Sequence, residues 1–399
     1  MKGEGRVGNG KKTIKIIAIS SLIFVLGIFL LLFISRGSFM PKTYLAPWNK
    51  NYYKNFDDSR IQLISHGLLA PNAHNMQSWR IVLDKDNKTK FKLYLDETRL
   101  LPETDQYHRQ LVISQGTFLE LVDISAKKLG YEAVIKIYPE GEISKKPTMD
   151  EIHKMPTAEV TLTTKNNNKS SRYDAIFDRV TTRTNYLDKP LTKEQIDKIM
   201  ALDDYEDIGI VVFQNSEELK YLKNLTTAGV NIESRKESTM KETHDVIRFS
   251  EYQKNKYRYG LTTSSQGFPK IKLFFLESLG SLFPITLEQE GKIWREAETE
   301  RIQKTPAYIM IFSGKNDRTT QVKVGMLYAR IQLEGTTLGL SMQPTMQITQ
   351  EYPEMKKLYE EVIKKFVKNG QTVQMLFRVG EAEKQVEHSP RRDVLELIH

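Results

Sequence analysis

The sequence contains no cysteine among its 399 residues. This absence excludes disulfides, cysteine-ligated zinc, iron–sulfur clusters and thiol catalysis. No serine–histidine–aspartate arrangement, HExxH motif, Walker loop or Rossmann glycine fingerprint in its strand–turn–helix context stands out either. The chain therefore offers no established protein-based nucleophile, and no metal site is predicted.

The composition is that of a folded globular protein. Hydrophobic residues make up 39% of the chain and charged residues 27%, which is atypical of disorder. The length allows two domains or one large fold. The net charge of +9 is spread along the chain, which favours a solvated basic surface, although an anionic cofactor or lipid would use the same charge. No nucleic-acid partner is predicted.

The N-terminus carries one long apolar run, from Ile16 to Ile34. It is long enough to span a bilayer, and no A-x-A-like cleavage site follows it. More lysine and arginine residues precede the run than follow it closely. The positive-inside rule therefore predicts a single-pass, uncleaved anchor within residues 1–36, with the bulk of the chain extracytoplasmic.

Two polar stretches divide the rest of the chain. Residues 37–57 have the composition of a linker, and residues 163–171 that of an exposed connection. They separate a first half, 58–165, from a second half, 170–399. In each half a strand pattern leads to an aspartate and then to two glycines with a helical pattern between them: Asp105, Gly116 and Gly130, then Asp317, Gly325 and Gly339. This order predicts an internally duplicated α+β unit.

A helix-stop segment with several amides covers residues 69–81, LAPNAHNMQSWRI. Proline and amides favour a turn, and small residues with amide side chains can approach a planar polar ligand closely. The alternative is an ordinary helix stop with Trp79 in the core.

This segment resembles the A-P-S-x-x-N-x-Q-P-W signature of the FMN-dependent nitroreductase superfamily. Asn72 and Ser78 replace the usual serine and proline. In that family the signature lies against the isoalloxazine ring. The resemblance implies contacts to FMN from the following residues: Pro71, Asn72, Ala73, Asn75 and Gln77.

A second match, R-x-T-x-R at residues 179–183, opens the second half. Arginine suits a phosphate because its planar fork makes paired, charge-assisted hydrogen bonds. The segment resembles the R-x-S-x-R opening of nitroreductases, which implies that Arg179, Thr181 and Arg183 hold the FMN phosphate. The alternative is an exposed polar loop.

The C-terminal part supplies two further matches. A predicted strand ending at Gly380 is followed by a basic segment, and this order resembles the C-terminal end of nitroreductases. The resemblance implies that Arg391 and Arg392 reach the phosphate, whereas a solvated basic tail is the alternative. Residues 339–344 resemble the loop beside the reactive edge of the flavin, which adds Ser341 and Gln343 to the predicted site and leaves Met342 as a core residue.

The ring-contact segment occurs only in the first half, and the R-x-T-x-R segment and basic tail occur only in the second. Nitroreductases are usually homodimers in which one subunit grips the phosphate and the other contacts the ring. The chain is therefore similar to a fused dimer with one surviving composite site, as in the Acg-like subgroup. The predicted fold is α+β, nitroreductase-like and duplicated as a pseudo-dimer, after one transmembrane helix.

The resemblance implies a membrane-anchored oxidoreductase in which NAD(P)H reduces FMN and a small acceptor, such as a nitroaromatic or quinone, reoxidises it. No protein acid or base is obligatory in that scheme, so no catalytic residue is named. A flavin-binding sequestering or sensing protein with little turnover is the alternative, and an anchored surface-binding protein is a third hypothesis. Residues 264–285 are rich in phenylalanine and leucine; they suit a lid, a membrane-facing patch or core.

Overall fold

The computed structural model describes residues 4–165, 171–283, 285–368 and 370–399. Its first element is a helix of 33 residues, α1 (Glu4–Arg36). The segment Lys12–Arg36 is long and apolar enough to cross a membrane. Nearly all of that segment is exposed rather than packed inside the protein, which distinguishes it from a core helix.

A first α+β unit follows α1. Its elements are α2 (Ser59–Gly67), β1 (Trp79–Leu83), β2 (Lys90–Leu95), α3 (Arg109–Leu129), β3 (Tyr131–Ile137), α4 (Met149–Lys154) and β4 (Ala158–Thr164). The strands form an antiparallel sheet in the order β1-β2-β4-β3. Burial alternates along β2 because successive side chains point to opposite faces of the sheet. One face therefore packs on α2 and α3 and forms the core of this unit.

The second unit contains a long insertion. Its elements are α5 (Ala175–Asp178), α6 (Lys193–Met200), β5 (Ile208–Phe213), α7 (Ser216–Glu233), α8 (Glu237–Asp245), β6 (Ile247–Arg248), α9 (Glu251–Tyr257), β7 (Leu261–Thr262), α10 (Lys270–Leu282), α11 (Leu287–Gln303), β8 (Ala307–Ser313), α12 (Arg318–Thr337), β9 (Ser341–Pro344), α13 (Lys356–Phe366) and β10 (Thr372–Gly380). The main sheet has the order β5-β8-β10-β9.

The two sheets have the same topology when β5, β8, β9 and β10 are matched with β1, β2, β3 and β4. The long helices α3 and α12 occupy corresponding places after the second strand of each sheet. The predicted fold class, α+β and internally duplicated after one apolar helix, is confirmed. Gly130 and Gly339 follow these helices with positive φ angles of 86° and 74°, a conformation that glycine adopts without strain.

Helices α3 and α12 cross in backbone contact. A Cβ atom on Gly116 would lie 1.9 Å from the carbonyl oxygen of Val322, and one on Gly325 would lie 1.9 Å from that of Ile113. Only glycine permits so close an approach. This crossing joins the cores of the two units.

The halves are also joined by two segments outside the sheets. Residues 37–57, predicted as a linker, form two short 3₁₀ helices that bury Tyr44 and Trp48. Their aromatic side chains bury large areas against partners distant in sequence, which composition alone does not show. The C-terminal tail returns to the first sheet, where Ile398 bridges to Ile81. Part of the predicted 163–171 connection, residues 166–170, lies outside the described residues.

The insertion between β5 and β8 is the main asymmetry. Only residues 84–89 separate β1 from β2, whereas residues 214–306 separate β5 from β8. Those extra residues form α7 to α11 and the short parallel pair β6 and β7. The apolar stretch 264–285 is one part of this larger insertion; residue 284 lies outside the described residues.

Candidate functional site

A cavity of about 230 Å³ lies between the two units, beneath the insertion. Its floor includes the loop that follows α2, and its roof includes Phe249, Phe268 and Trp294 from the insertion. A smaller cavity of about 40 Å³ adjoins it. Five residues line both cavities and so mark their junction: Pro71, Asn72, Thr181, Arg183 and Leu261. We call the larger cavity the chamber and the smaller one the arginine pocket.

The loop between α2 and β1 has an unusual backbone. His74, Asn75 and Gln77 have positive φ angles of 46°, 54° and 54°, which are uncommon for residues other than glycine. Such conformations persist only where surrounding contacts fix them. Asn72 Oδ1 accepts a hydrogen bond from the Gln77 amide at 2.8 Å, and the Ala73 amide donates to Ser114 Oγ at 3.1 Å. The loop is therefore rigidly placed at the junction of the two cavities.

Gln77 and Arg392 hold this loop in place and line neither cavity. Gln77 Nε2 donates to the carbonyl oxygen of Arg258 at 2.9 Å, and its Oε1 accepts from the Arg392 amide at 2.9 Å. The Arg392 guanidinium donates to the carbonyl oxygens of Gln77 and Trp79 and lies 3.8 Å from Asp96. Both side chains position the backbone of the loop.

The arginine pocket is lined by Arg179, Arg183 and Arg391. Arg179 donates to the carbonyl oxygen of Leu69 at 2.9 Å, and its Nε has no partner. Arg391 donates to Asn75 Oδ1 at 2.5 Å, and its Nε also has no partner. Across the described ranges, none of the three arginines forms an ion pair with a carboxylate. Glu387 also lines the pocket, but it pairs with Lys42 at 2.9 Å, so the pocket holds an excess of positive charge.

Arg183 is the least constrained of the three. It lines both cavities, and within residues 4–165, 171–283, 285–368 and 370–399 its guanidinium makes no hydrogen bond. Thr181 stands two residues before it and bridges to Met342 on β9, which fixes the segment on the second sheet. A guanidinium with five free donors at the junction of two cavities is suited to bind an anion.

Burial and mutual repulsion explain the pKa values in this pocket. Burial lowers the pKa of Arg179 to about 10, and burial followed by the nearby Arg179 lowers that of Arg391. Burial also lowers the pKa of His388 to about 4, with smaller contributions from the two arginines. The histidine is therefore neutral near pH 7, and the positive charge belongs to the arginines.

An aromatic ring provides part of the compensation for these charges. The guanidinium carbons of Arg391 and Arg179 lie 4.8 Å and 5.4 Å from the centroid of Trp48, and His388 stacks on the same ring at 4.1 Å. A cation–π contact contributes about 2 kcal/mol or more in a desolvated site, whereas an unpaired buried charge costs several kcal/mol. An anion in the pocket would supply the missing counter-charge.

The chamber has a polar end that the sequence did not predict. Glu298 accepts hydrogen bonds from Gln343 Nε2 and Arg301 Nη1, each at 2.7 Å. Glu233 Oε2, Glu290 Oε1 and Gln343 Oε1 are buried acceptors without a partner. Burial raises the pKa of Glu233 to about 7. This end of the chamber suits the N–H or O–H donors of a ligand.

The predicted site residues differ in the cavity that they line, and some of them line both. Those that line the chamber are Pro71, Asn72, Ala73, Thr181, Arg183 and Gln343. Those that line the arginine pocket are Pro71, Asn72, Asn75, Arg179, Thr181, Arg183 and Arg391. Gln77, Ser341 and Arg392 line neither cavity; Ser341 pairs with Gly380 in the sheet. The residues that the sequence missed include Trp48, Glu233 and Glu298, none of which belongs to a recognisable motif.

The start of the first unit has no comparable free arginine. Arg60 pairs with Asp58 through its Nη2 at 2.7 Å and donates from Nη1 to the carbonyl oxygens of Asp84 and Lys90. Its charge is compensated within the protein. Over the described residues, the fold and the site therefore define a duplicated α+β protein with an arginine-lined pocket beside a larger chamber.

Comparison with protein-family models gives no match. Two uncharacterized proteins of Mycobacterium tuberculosis, from two strains, are each 28% identical over 164 residues. The aligned part covers 38% of this chain and 46% of each relative. The chain thus spans about half the length of these curated relatives.

Solved structures similar to the chain include the FMN-dependent nitroreductase NfnB from Mycobacterium smegmatis in complex with NADPH, at 13% identity and a TM-score of 0.35. A nitroreductase with bound FMN from Desulfitobacterium hafniense is 12% identical, with a TM-score of 0.34. A nitroreductase-like family protein from Bacillus cereus is 14% identical, with a TM-score of 0.32. The matches cover 56%, 56% and 57% of this chain and 94% of each of the three structures.

Proposed function

We propose that the chain is a membrane-anchored, FMN-dependent oxidoreductase of nitroreductase type. It would pass a hydride from NAD(P)H through FMN to a small acceptor, a nitroaromatic or a quinone. The observation that carries this proposal is the set of three arginines beside the chamber, which have no carboxylate partner in the described residues; Arg179 and Arg391 are buried and Arg183 is partly buried. Such a pocket is suited to a phosphate group, because phosphate provides both the counter-charge and the hydrogen-bond acceptors.

The residues present fit FMN. Arg179, Arg183 and Arg391 would hold the phosphate, and Asn72 and Thr181 line the passage between pocket and chamber. The chamber, roofed by apolar side chains, would take the ring and exclude water from it. When bound, the flavin supplies the hydride chemistry, and the chain supplies placement and electrostatics.

Flavin binding by variants of Arg183 tests the proposal. Purified protein should bind about one FMN per chain. Arg183→Ala should lower the affinity for FMN at least about tenfold, because a charge-assisted hydrogen bond contributes roughly 1.5–3 kcal/mol. Arg172→Ala is the matched control, since Arg172 pairs with Glu334 and lines neither cavity.

Riboflavin separates a phosphate contact from general damage to the fold. It lacks the phosphate, so its affinity should be equal in the Arg183→Ala variant and the unchanged protein. Absence of any flavin binding, two flavins per chain, or equal FMN affinity in both proteins would overturn the proposal.

A flavin-binding sequestering or sensing protein is the second candidate, and the size of the chamber favours it. The volume of about 230 Å³ is below the roughly 300–1,000 Å³ of typical ligand pockets, so an acceptor reaches a bound flavin only if the roof of the chamber opens. Anaerobic stopped-flow absorbance decides between the two. Bleaching of the bound flavin by NADH or NADPH, followed by reoxidation with a small quinone, supports the enzyme. No bleaching by either nucleotide supports the second candidate.

A further inference from the structure

Helix α10 carries a row of exposed apolar side chains. Ile271, Phe275 and Leu279 are exposed by 76%, 39% and 45%, and their spacing of four residues places them on one face. Leu282 and Phe283 continue the row at its C-terminal end. A contiguous apolar surface of this kind on a folded protein marks an interaction site.

This face lies beside the anchor. Phe274 and Phe275 each have ring centroids 6.4 Å from that of Phe29 on α1, and Arg36 pairs with Glu277. Phe29 precedes Arg36 by seven residues, which corresponds to roughly 10 Å along a helix. Phe275 therefore lies beside the anchor at roughly 10 Å from the level of Arg36. This distance is similar to the roughly 5–10 Å to which the apolar face of an interfacial helix enters a bilayer.

A buried ionic cluster fixes α10 against the anchor. The Glu277 side chain is fully buried; it pairs with Arg36 and accepts hydrogen bonds from Lys254 Nζ at 2.9 Å and Thr263 Oγ1 at 2.7 Å. Lys254 also pairs with Glu251 at 3.0 Å. Breaking such a buried cluster is costly, so α10 keeps its orientation relative to α1. When α1 spans a membrane, the exposed face of α10 meets the lipid.

The other side of α10 belongs to the chamber. Leu276 lines the chamber, and Phe268 and Ile285 line it on either side of the helix. Gly280 allows α10 to pack closely on Phe249, since a Cβ there would lie 2.8 Å from that ring. A single helix, about 10 Å across, therefore separates the lipid-facing surface from the chamber.

We propose that α10 lies in the lipid–water interface and that the electron acceptor is a lipid-dissolved quinone, which enters the chamber from the bilayer past α10. The acceptor chemistry rests on the function proposed above. In the balanced reaction, NAD(P)H, one proton and the quinone give NAD(P)⁺ and the hydroquinone, which returns to the lipid. The occupant of the exposed face is lipid, because the face continues the surface of the anchor.

Site-directed spin labelling tests the position of α10 without any flavin. The chain has no cysteine, so Ile271→Cys, Phe275→Cys and Leu279→Cys each give one labelling site in the full-length protein. In phosphatidylcholine vesicles these labels should be more accessible to oxygen than to a water-soluble nickel chelate. Labels at Val134→Cys and Met149→Cys, two exposed positions of the first unit, should show the reverse. Equal behaviour at both sets of positions overturns the membrane position of α10.

Reoxidation kinetics test the acceptor. The bound FMN is reduced stoichiometrically with dithionite in vesicles, and then meets either a quinone with a long isoprenoid tail or a tailless, water-soluble one. The double variant Phe275→Ser/Leu279→Ser should lower the rate of flavin reoxidation by the tailed quinone at least about tenfold. It should leave the rate with the tailless quinone unchanged. Val134→Ser/Met149→Ser is the control and should change neither rate.

The outcomes separate the two proposals. If the tailless quinone reoxidises the flavin and the tailed one does not, or if the double variant slows neither, the bilayer route is wrong and the proposed function stands. If no flavin binds, the proposed function fails and the acceptor assignment fails with it; if flavin binds but neither quinone reoxidises it, the quinone assignment alone fails. The spin labels then decide the position of α10 alone.

Discussion

Replacing Gly325 with alanine should destabilise the whole duplicated body. A Cβ atom there would lie 1.9 Å from the carbonyl oxygen of Ile113 and 3.0 Å from Cα of Gly116. Both obstacles are backbone atoms, so no side chain can turn aside. Helices α3 and α12 would have to separate by about 1.5 Å to restore a normal contact, and the cores on both sides would lose packing.

The magnitude follows from two opposing effects. Overpacking costs about 1–3 kcal/mol, and a rigid backbone obstacle at the crossing of two long helices belongs at the upper end. Alanine gains up to about 1 kcal/mol over glycine inside a helix. We therefore expect a net loss of about 2 kcal/mol in the free energy of unfolding. We also expect weaker FMN binding, because the proposed site is composed of both halves.

Gly335→Ala is the matched control on the same helix. Its Cβ would meet Met342 Cε at 2.4 Å, but that atom is the tip of a flexible side chain that can move away. This variant should be as stable as the unchanged protein or slightly more stable. Circular dichroism is used to monitor thermal unfolding of the unchanged protein and the two variants, each solubilised in detergent. If the unfolding temperature of Gly325→Ala is no lower than that of Gly335→Ala, the two helices do not cross in backbone contact.

Three further predictions concern charge and topology. The pKa of Glu233 is raised to about 7 from an unfolded value near 4.3, so the stability it contributes is fully present below about pH 4 and is lost as the pH rises through 7. Thermal unfolding from pH 4 to pH 8 should show this decline, and Glu233→Gln should reduce it. Arg60→Ala should lower the unfolding temperature, because it removes the pair with Asp58, yet leave the FMN stoichiometry at one; a lower stoichiometry would place Arg60 in a flavin site. Protease added to cells with permeable outer layers should cleave the C-terminal part, and full protection would reverse the predicted orientation of the anchor.

The sequence located the segments that form the cavities because each carries its chemistry locally. The amide-rich stretch at 69–81 and the R-x-T-x-R segment lie about 100 residues apart, and Asn72 and Arg183 nevertheless line the same two cavities. The glycine spacing predicted an internally duplicated unit but not the α3–α12 crossing. The structure shows that Gly116 and Gly325 lie at that crossing, where so close a contact requires glycine on both helices.

Local pattern could not tell which polar residues face the cavities and which hold the loop. Gln77 and Arg392 have the residue types of a binding site, but the left-handed backbone at residues 74, 75 and 77 directs Gln77 into contacts with backbone groups. Glu233 and Glu298 were missed for a different reason. They belong to the insertion, which has no counterpart in the first half, and long-range packing alone brings them to the chamber.

Because both halves belong to one chain, the crossing of α3 with α12 and the return of the C-terminal tail to β1 form in a unimolecular process. In a pair of separate subunits, dilution below the dissociation constant would disassemble a composite site. Here the covalent link sets the effective concentration of each half for the other, whatever the amount of protein in the cell. In a homodimer every substitution appears in both subunits. In this single chain a substitution changes one half and leaves the corresponding position of the other half unchanged. A roof over one side and a compensated Arg60 on the other are asymmetries that an exact homodimer cannot acquire.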